Sequence, residues 1–459
     1  MTAFLVRLPV KPRFIKTVIL LLLLLGIPLG VWRLHLAQVI NKELASIRAA
    51  GLPTTGEELN RWYPAVPDNQ NAALVLTQAF NLRRLYPDNR SNLIFKFKLP
   101  NRGQALSAEQ IELLRGYTAL NEAHLSKANE ALTLPASRYP LNFSMLMQTP
   151  LPHLTGLKGL AELYQYSAYL SLESGNPSLA RSNIIAILGL ARTLDDEPCL
   201  ISQLLRLRLF KLAFATLERR ANASPFDSAE TASLADAFAL TRTTNMAVRA
   251  LIGERAMVIP YFRMTRAEAL KLNPPKNTED SRIDSPLPCY GPFPVKVIGL
   301  YELDYGSFLI AMNKAITRLN NPPPENLRAD GYLARVGEAS MQRRRTISGI
   351  SLSAYSHVAH HENEGIAMQR LALTALAIEN FAAANRSFPE KLDELVPKFL
   401  LESPSDPFTG LELKYHRSAK GYVVYSVGPD MQDDGGLEAS RKKESDDKRS
   451  YDITFTVER

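Results

Sequence analysis

Residues Leu157–Leu194 read "LKGLAELYQYSAYLSLESGNPSLARSNIIAILGLARTL". Apolar residues recur at three- and four-residue spacing on both sides of one interruption, Gly175–Asn176–Pro177, as two amphipathic helices would require. Gly175 suits the end of the first helix, Asn176 can cap the second, and Pro177 fits its first turn. The stretch therefore predicts a pair of antiparallel helices resembling a tetratricopeptide hairpin. No second copy follows at a fixed period, so a long repeat array is not indicated.

Working outward, the helical pattern holds from Asn71 to about Met264. Ser107 and Gln110 have capping-box spacing, and Asp227 with Glu230 marks another helix start. Residues 71–271 are read as one helical domain of stacked antiparallel helices. Proline then accumulates in "LNPPKNTEDSRIDSPLPCYGPFP" (272–294) and "NNPPPENL" (320–327), so 272–330 reads as a proline-rich linker with a short helical stretch over 295–319. Residues 331–459 change character. A long alanine-rich helix (363–386) precedes the strand-like segments "LKYHR", "GYVVYSV" and "YDITFTVE", an α+β end with a small antiparallel sheet.

At the other end, Phe14–Leu34 reads "FIKTVILLLLLLGIPLGVWRL", with no charge between Lys16 and Arg33. A helix there covers roughly 24 Å, close to a hydrocarbon core of about 30 Å, with Lys16 and Arg33 able to snorkel and Trp32 suited to the interface. No small-x-small site follows, which favours an uncleaved anchor over a signal peptide. Residues 1–16 form a basic tail, 17–37 the transmembrane anchor and 38–70 a juxtamembrane segment. The heavier basic flank before the anchor places the N-terminus in the cytoplasm and everything after about residue 37 outside it. The predicted fold class is thus mainly α: a transmembrane helix, an antiparallel helical domain and a C-terminal α+β module.

The net charge of +8 over 459 residues is modest and spread along the chain. No basic patch with interleaved aromatics argues for nucleic acid. Cys199 and Cys289 both lie in proline-flanked loops, and the sequence leaves open whether they meet. No nucleophile elbow, phosphate loop, dinucleotide fingerprint or CxxC pair occurs. The run Asp195–Asp196–Glu197 has no evident acid–base arrangement.

Two clusters remain as candidates. "SHVAHHENEG" gathers His357, His360, His361, Glu362 and Glu364, with His357 and His361 on one helical face; a solvated helix start competes with a transition-metal site there. "GYVVYSVGPDMQDDGG" (421–436) places Asp430, Asp433 and Asp434 in one turn, where the carboxylates need a cation, a basic neighbour or solvent. "MQRRRT" (341–346) could meet phosphate or lipid headgroups, against the simpler reading of a solvated helix face.

The ordered segments "AAANRSFPEKLDELVP", "DPFTG", "LKYH", "YVVYSVGPD", a Gly–Gly turn and "DIT" resemble the globular part of the type II secretion major pseudopilin, over about 363–457. In that family a loop between the last two segments binds calcium. The resemblance implies a structural Ca2+ held by Asp430, Asp452 and the backbone of Val427, with Asp433 and Asp434 in the same loop. The chain departs from the family at its N-terminus, which lacks the prepilin pattern, and in the insert 437–450, whose five basic residues could neutralise the aspartates without metal. The whole arrangement also resembles a group of bacterial membrane-anchored proteins that combine an N-terminal anchor, "GLPTTGEEL", "EPCLISQLLRL" and this same ending. That likeness implies an architecture and no reaction. The expected function is a non-enzymatic scaffold or partner-binding protein. The alternatives are a metal-dependent envelope hydrolase and an accessory component of a type II secretion-like assembly.

Overall fold

The computed structural model describes residues 12–241, 243–264, 268, 298–437 and 452–459. Helix α1 (Pro12–Ala49) has two halves in different environments. Toward its start, Leu23, Leu24, Leu25, Ile27, Val31 and Leu34 are exposed, and among the described residues this is the one helix long and apolar enough to cross a membrane. Beyond them, Leu36, Ile40, Leu44 and Ile47 fall on one face at helical spacing and are buried. Each such burial contributes about 1.5–3 kcal/mol, so the second half of α1 is an integral part of the body.

The body is mainly helical. After α2 (Gly56–Trp62), capped by Thr55, come α3 (Ala72–Phe80), α4 (Arg90–Lys96), α5 (Ala108–Leu120) and α6 (Glu122–Ala131). The expected hairpin is formed by α7 (His153–Glu173) and α8 (Pro177–Arg192). Gly175 adopts φ +71°, Asn176 accepts from the Leu179 amide at 3.2 Å, and Pro177 opens the second helix. The Ser107–Gln110 capping box and the Asp227 cap are also present. Helix α9 (Leu200–Ala223) packs on α7 and α8, followed by α10 (Ser228–Leu240) and α11 (Met246–Val258).

The proline-rich stretch needs a correction. The helix expected as a short part of a linker, α12 (Leu300–Leu319), is a core helix: Phe308, Leu309 and Met312 are fully buried, and its apolar face lies on α1. Residues 272–297 and Cys289 lie outside the described residues, while Cys199 is a buried free thiol. Helices α13 (Arg328–Gln342) and α14 (Thr346–Ala354) form a tight hairpin beside α12. Gly349 permits it, since a Cβ there would stand 2.4 Å from Met341 Sδ.

The long helix α15 (Val358–Asn385) starts five residues earlier than the alanine-rich pattern suggests. Strands β1 (Lys414–Ser418), β2 (Gly421–Ser426) and β3 (Ile453–Glu458) form an antiparallel sheet in that order, with Val424 opposite both Tyr415 and Phe455. The sheet packs on α15 and α9, where Phe214 meets Phe455 edge-on at 5.5 Å. One hydrophobic cluster runs from Ala73 and Leu76 through Leu209 and Leu371 to Val424 and Val457. A second joins α1, α11, α12, α13, α14 and the first turn of α15, through Val358 and Ala359. The boundary drawn at residue 331 therefore does not separate two cores: α13 and α14 belong with α1 and α12, while α15 and the sheet share a core with the helices before them.

Candidate functional site

Two glycines and an amide-rich turn shape the aspartate loop after β2. Asp452 enters from the other side, just before β3, and is 2 % exposed. Its carboxylate accepts from the Gly436 amide at 2.7 Å and the Asp434 amide at 3.4 Å. Burial pushes Asp452 up to about 6; the two amides oppose that rise, and nearby Asp434 and Asp433 add to it. Asp433 accepts from the Gly435 amide and from the Tyr425 hydroxyl, each at 3.0 Å, and lies 3.6 Å from Lys414 Nζ. The Gly435 amide, more than any other contact, holds its carboxyl below the usual range. Asp430 Oδ1 accepts from the Gln432 amide at 3.1 Å, closing the turn, while its Oδ2 is buried without a hydrogen-bond partner.

Val427 takes part through its amide, which donates to Asp406 Oδ2 at 2.9 Å. Asp406, from "DPFTG", also accepts from the Phe408 amide at 2.8 Å and is 1 % exposed. It ties the turn after α15 to the end of β2, a role that its sequence context did not reveal. Among the described residues, no three His, Cys, Asp or Glu side chains are grouped as a metal ion would require. The insert 438–451 lies outside the described residues.

The histidine segment does not converge on one point. His360 Nδ1 lies 2.6 Å from Asp330 Oδ2, at the start of α15 beside α13. His361 pairs with Glu364 at 3.5 Å, and Glu364 also binds Lys211 at 2.9 Å. Burial opposes ionisation of Glu364, but His361 and Lys211 hold its carboxyl below the usual range. Glu362 turns the other way and accepts from the Ala247 amide at the start of α11, where burial raises it to about 7. Each acid is thus committed to a different partner.

The residues least legible in the sequence are those of "DDEPCLIS". Glu197 is fully buried; it lies 3.1 Å from His153 Nε2 and accepts from the Ser202 hydroxyl. Asp195 pairs with Arg206 at 2.8 Å and Asp196 with Arg249 at 3.1 Å. Gly253 of α11 presses against this turn, where a Cβ would stand 1.8 Å from the Pro198 carbonyl oxygen. Next to it, Glu254 accepts from the Leu200 amide at 2.9 Å and the Tyr355 hydroxyl at 3.0 Å. Burial raises the Glu254 carboxyl, and it pushes the Cys199 thiol up to about 12. That thiol is therefore protonated and inert at neutral pH.

A cleft of about 290 Å³ opens where α1 meets the end of α11 and α12. Arg48, Thr54, Arg263, Glu268 and Tyr305 line it, and the Tyr305 hydroxyl is buried without a hydrogen-bond partner. Two guanidinium groups against the single carboxylate of Glu268 leave the lining net positive, which suits an anionic group better than a neutral one.

No family model, curated protein or solved structure matches this chain.

Proposed function

We propose that the chain is a membrane-anchored protein of the bacterial envelope that holds a helical body at the bilayer as a non-enzymatic scaffold or partner-binding protein. One observation carries this reading. The exposed apolar half of α1, which holds Pro28, runs on in the same helix into a half buried in the body, so a single helix joins anchor and domain. The basic flank before the anchor supports a cytoplasmic N-terminus and a periplasmic body. The α7–α8 hairpin supports a tetratricopeptide-like surface. The Arg48–Arg263 cleft is the binding face we favour, for an acidic segment of a partner. A place in a type II secretion-like assembly rests on fold analogy alone.

A structural calcium at the aspartate turn belongs to the same reading. The partnerless Asp430 Oδ2 and the raised Asp452 support it, with the Val427 backbone, Asp433 and Asp434 as the further expected contributors. A metal-dependent hydrolase centred on His357–Glu364 ranks behind, because those side chains serve separate partners.

The test is membrane fractionation of the full chain with intact-mass analysis. The expected result is a species of full mass that resists alkaline carbonate and whose body is cleaved by protease added from the periplasmic side. Release by carbonate, or a mature form lacking the first thirty to forty residues or so, as signal-peptide cleavage produces, would overturn it.

A further inference from the structure

The parallel course of α1 and α12 fixes which end of the body faces the membrane. Trp32 Nε1 donates to the Ile298 carbonyl at 3.2 Å, and Arg33 pairs with Glu302 at 2.5 Å. Gly306 then lies level with Val39 and Ile40, and Asn313 donates to Glu43 at 2.7 Å. Helix α12 thus starts at the membrane side and runs away from it. Helix α13 returns, since Tyr332 near its start stacks under Arg318 near the end of α12, at 4.0 Å. The α13–α14 turn consequently comes back to the start of α12. There Arg345 donates to Ser307 Oγ at 2.6 Å, and the Ile347 and Ser348 amides donate to Asp304 at 3.2 and 3.3 Å.

That turn is Arg343–Arg344–Arg345. Arg343 and Arg344 are exposed, and no carboxylate pairs with either among the described residues. Among the described residues, the acids nearest this end have other contacts: Glu302 pairs with Arg33 through one oxygen, Asp304 accepts from the two amides, and Glu338 lies 3.5 Å from the Gln342 side-chain amide. Apolar side chains flank the arginines, with Met341 53 %, Ile350 49 % and Ile298 46 % exposed. Val39 and Ile40, level with Gly306, lie six to seven residues past Arg33 on α1. The turn's contacts to Asp304 and Ser307 sit beside Gly306, so the turn lies within roughly 10 Å of Arg33 along the helix axis. A headgroup layer is roughly 5–8 Å deep on each side of the hydrocarbon. Arg344 also holds the left-handed conformation, φ +57°, which glycine adopts without strain.

We propose that the α13–α14 turn is a second membrane contact, in which Arg343 and Arg344 bind anionic lipid headgroups while Met341 and Ile350 enter the interface. The proposal rests on the reading of α1 as an anchor, and it makes the body bind the bilayer at two points.

The test is hydrogen exchange by mass spectrometry on the full chain, reconstituted in phosphatidylcholine vesicles with or without 30 % phosphatidylglycerol. The expected result is exchange slowed roughly tenfold across peptides covering 339–351, only with the anionic lipid, and reversed by 0.5 M salt. A peptide around the exposed Leu411 is the internal reference; its neighbour Gly410 lies against Pro324, beyond the far end of α12. The double variant Arg343→Ala/Arg344→Ala should lose the slowing. Arg344→Gly should weaken it while leaving the melting midpoint equal or higher, which a purely structural role would not produce. Equal exchange in both lipids, with the chain resistant to carbonate, would overturn the proposal and leave the anchor standing. Slowing that also covers the Leu411 peptide would overturn it as a general effect of the lipid on the body. A chain that carbonate strips from the vesicles would remove the anchor reading and this contact with it.

Discussion

Two acid-rich turns, Asp195–Glu197 and Asp430–Asp434, solve the same electrostatic problem differently. In Asp195–Asp196–Glu197 each acid has a basic side chain: Arg206, Arg249 and His153. Those bases come from helices far apart in sequence, and the turn is sealed under Gly253. In the Asp430–Asp434 turn the acids lean mainly on amides of the turn itself, with Lys414 the one base paired to them by a described ion pair. The contrast teaches that a conspicuous run of acids between glycines marks a surface device. The run that matters most to the core looked unremarkable because its partners lie elsewhere in the chain.

The largest expected effect comes from breaking the buried turn. Glu197→Ala leaves His153, 5 % exposed, and the Ser202 hydroxyl without their carboxylate. It should cost about 3–5 kcal/mol in urea unfolding, the range for removing one partner of a buried pair. A loss below 1 kcal/mol would erase the distinction between the two turns.

An intermediate effect should separate them by pH. Asp452 has a folded-state pKa raised to about 6, so its contribution is fully present at acid pH and is lost as pH rises through 6. Stability measured from pH 4 to 7 should fall by about 1–2 kcal/mol from this group, and Asp452→Asn should flatten that part of the profile. A variant whose profile parallels the wild type would show that the carboxyl is not the titrating group.

The smallest effect concerns calcium. Adding it should raise the melting midpoint of the full chain by a few degrees relative to chelator, and Asp430→Asn should abolish the rise. Identical curves would leave Lys414 and the turn amides as the only counter-charges described for these aspartates.

Local signals were legible wherever one residue type decides the geometry. The Gly175–Asn176–Pro177 break, the Ser107 and Asp227 caps and the strand segments all follow from backbone preferences that act within a few residues. The long apolar helix near the N-terminus was equally plain, as a leucine run with charged ends. What local reading missed was tertiary. Proline on both sides made 295–319 look like part of a linker, although its own apolar spacing matches the buried face of α1. The shared core of α15 and α9 could not be read either, because an alanine-rich helix gives little sign of what covers it. For the same reason the acids of "DDEPCLIS" seemed idle and those of the exposed turn seemed purposeful.

The single helix α1 has a consequence for encounter statistics. Arg48 stands fifteen residues beyond Arg33, or about 22 Å along the helix axis, so on the anchored reading proposed above the cleft it lines would be carried at a set height above the lipid. A body on a flexible tether samples every orientation and dilutes its binding face over a hemisphere. A body fixed to a stiff helix gives up that orientational entropy once, during folding. On that reading a membrane-bound partner would meet the cleft by two-dimensional diffusion at matching height, and one reaching only a few ångströms above the bilayer would never meet it.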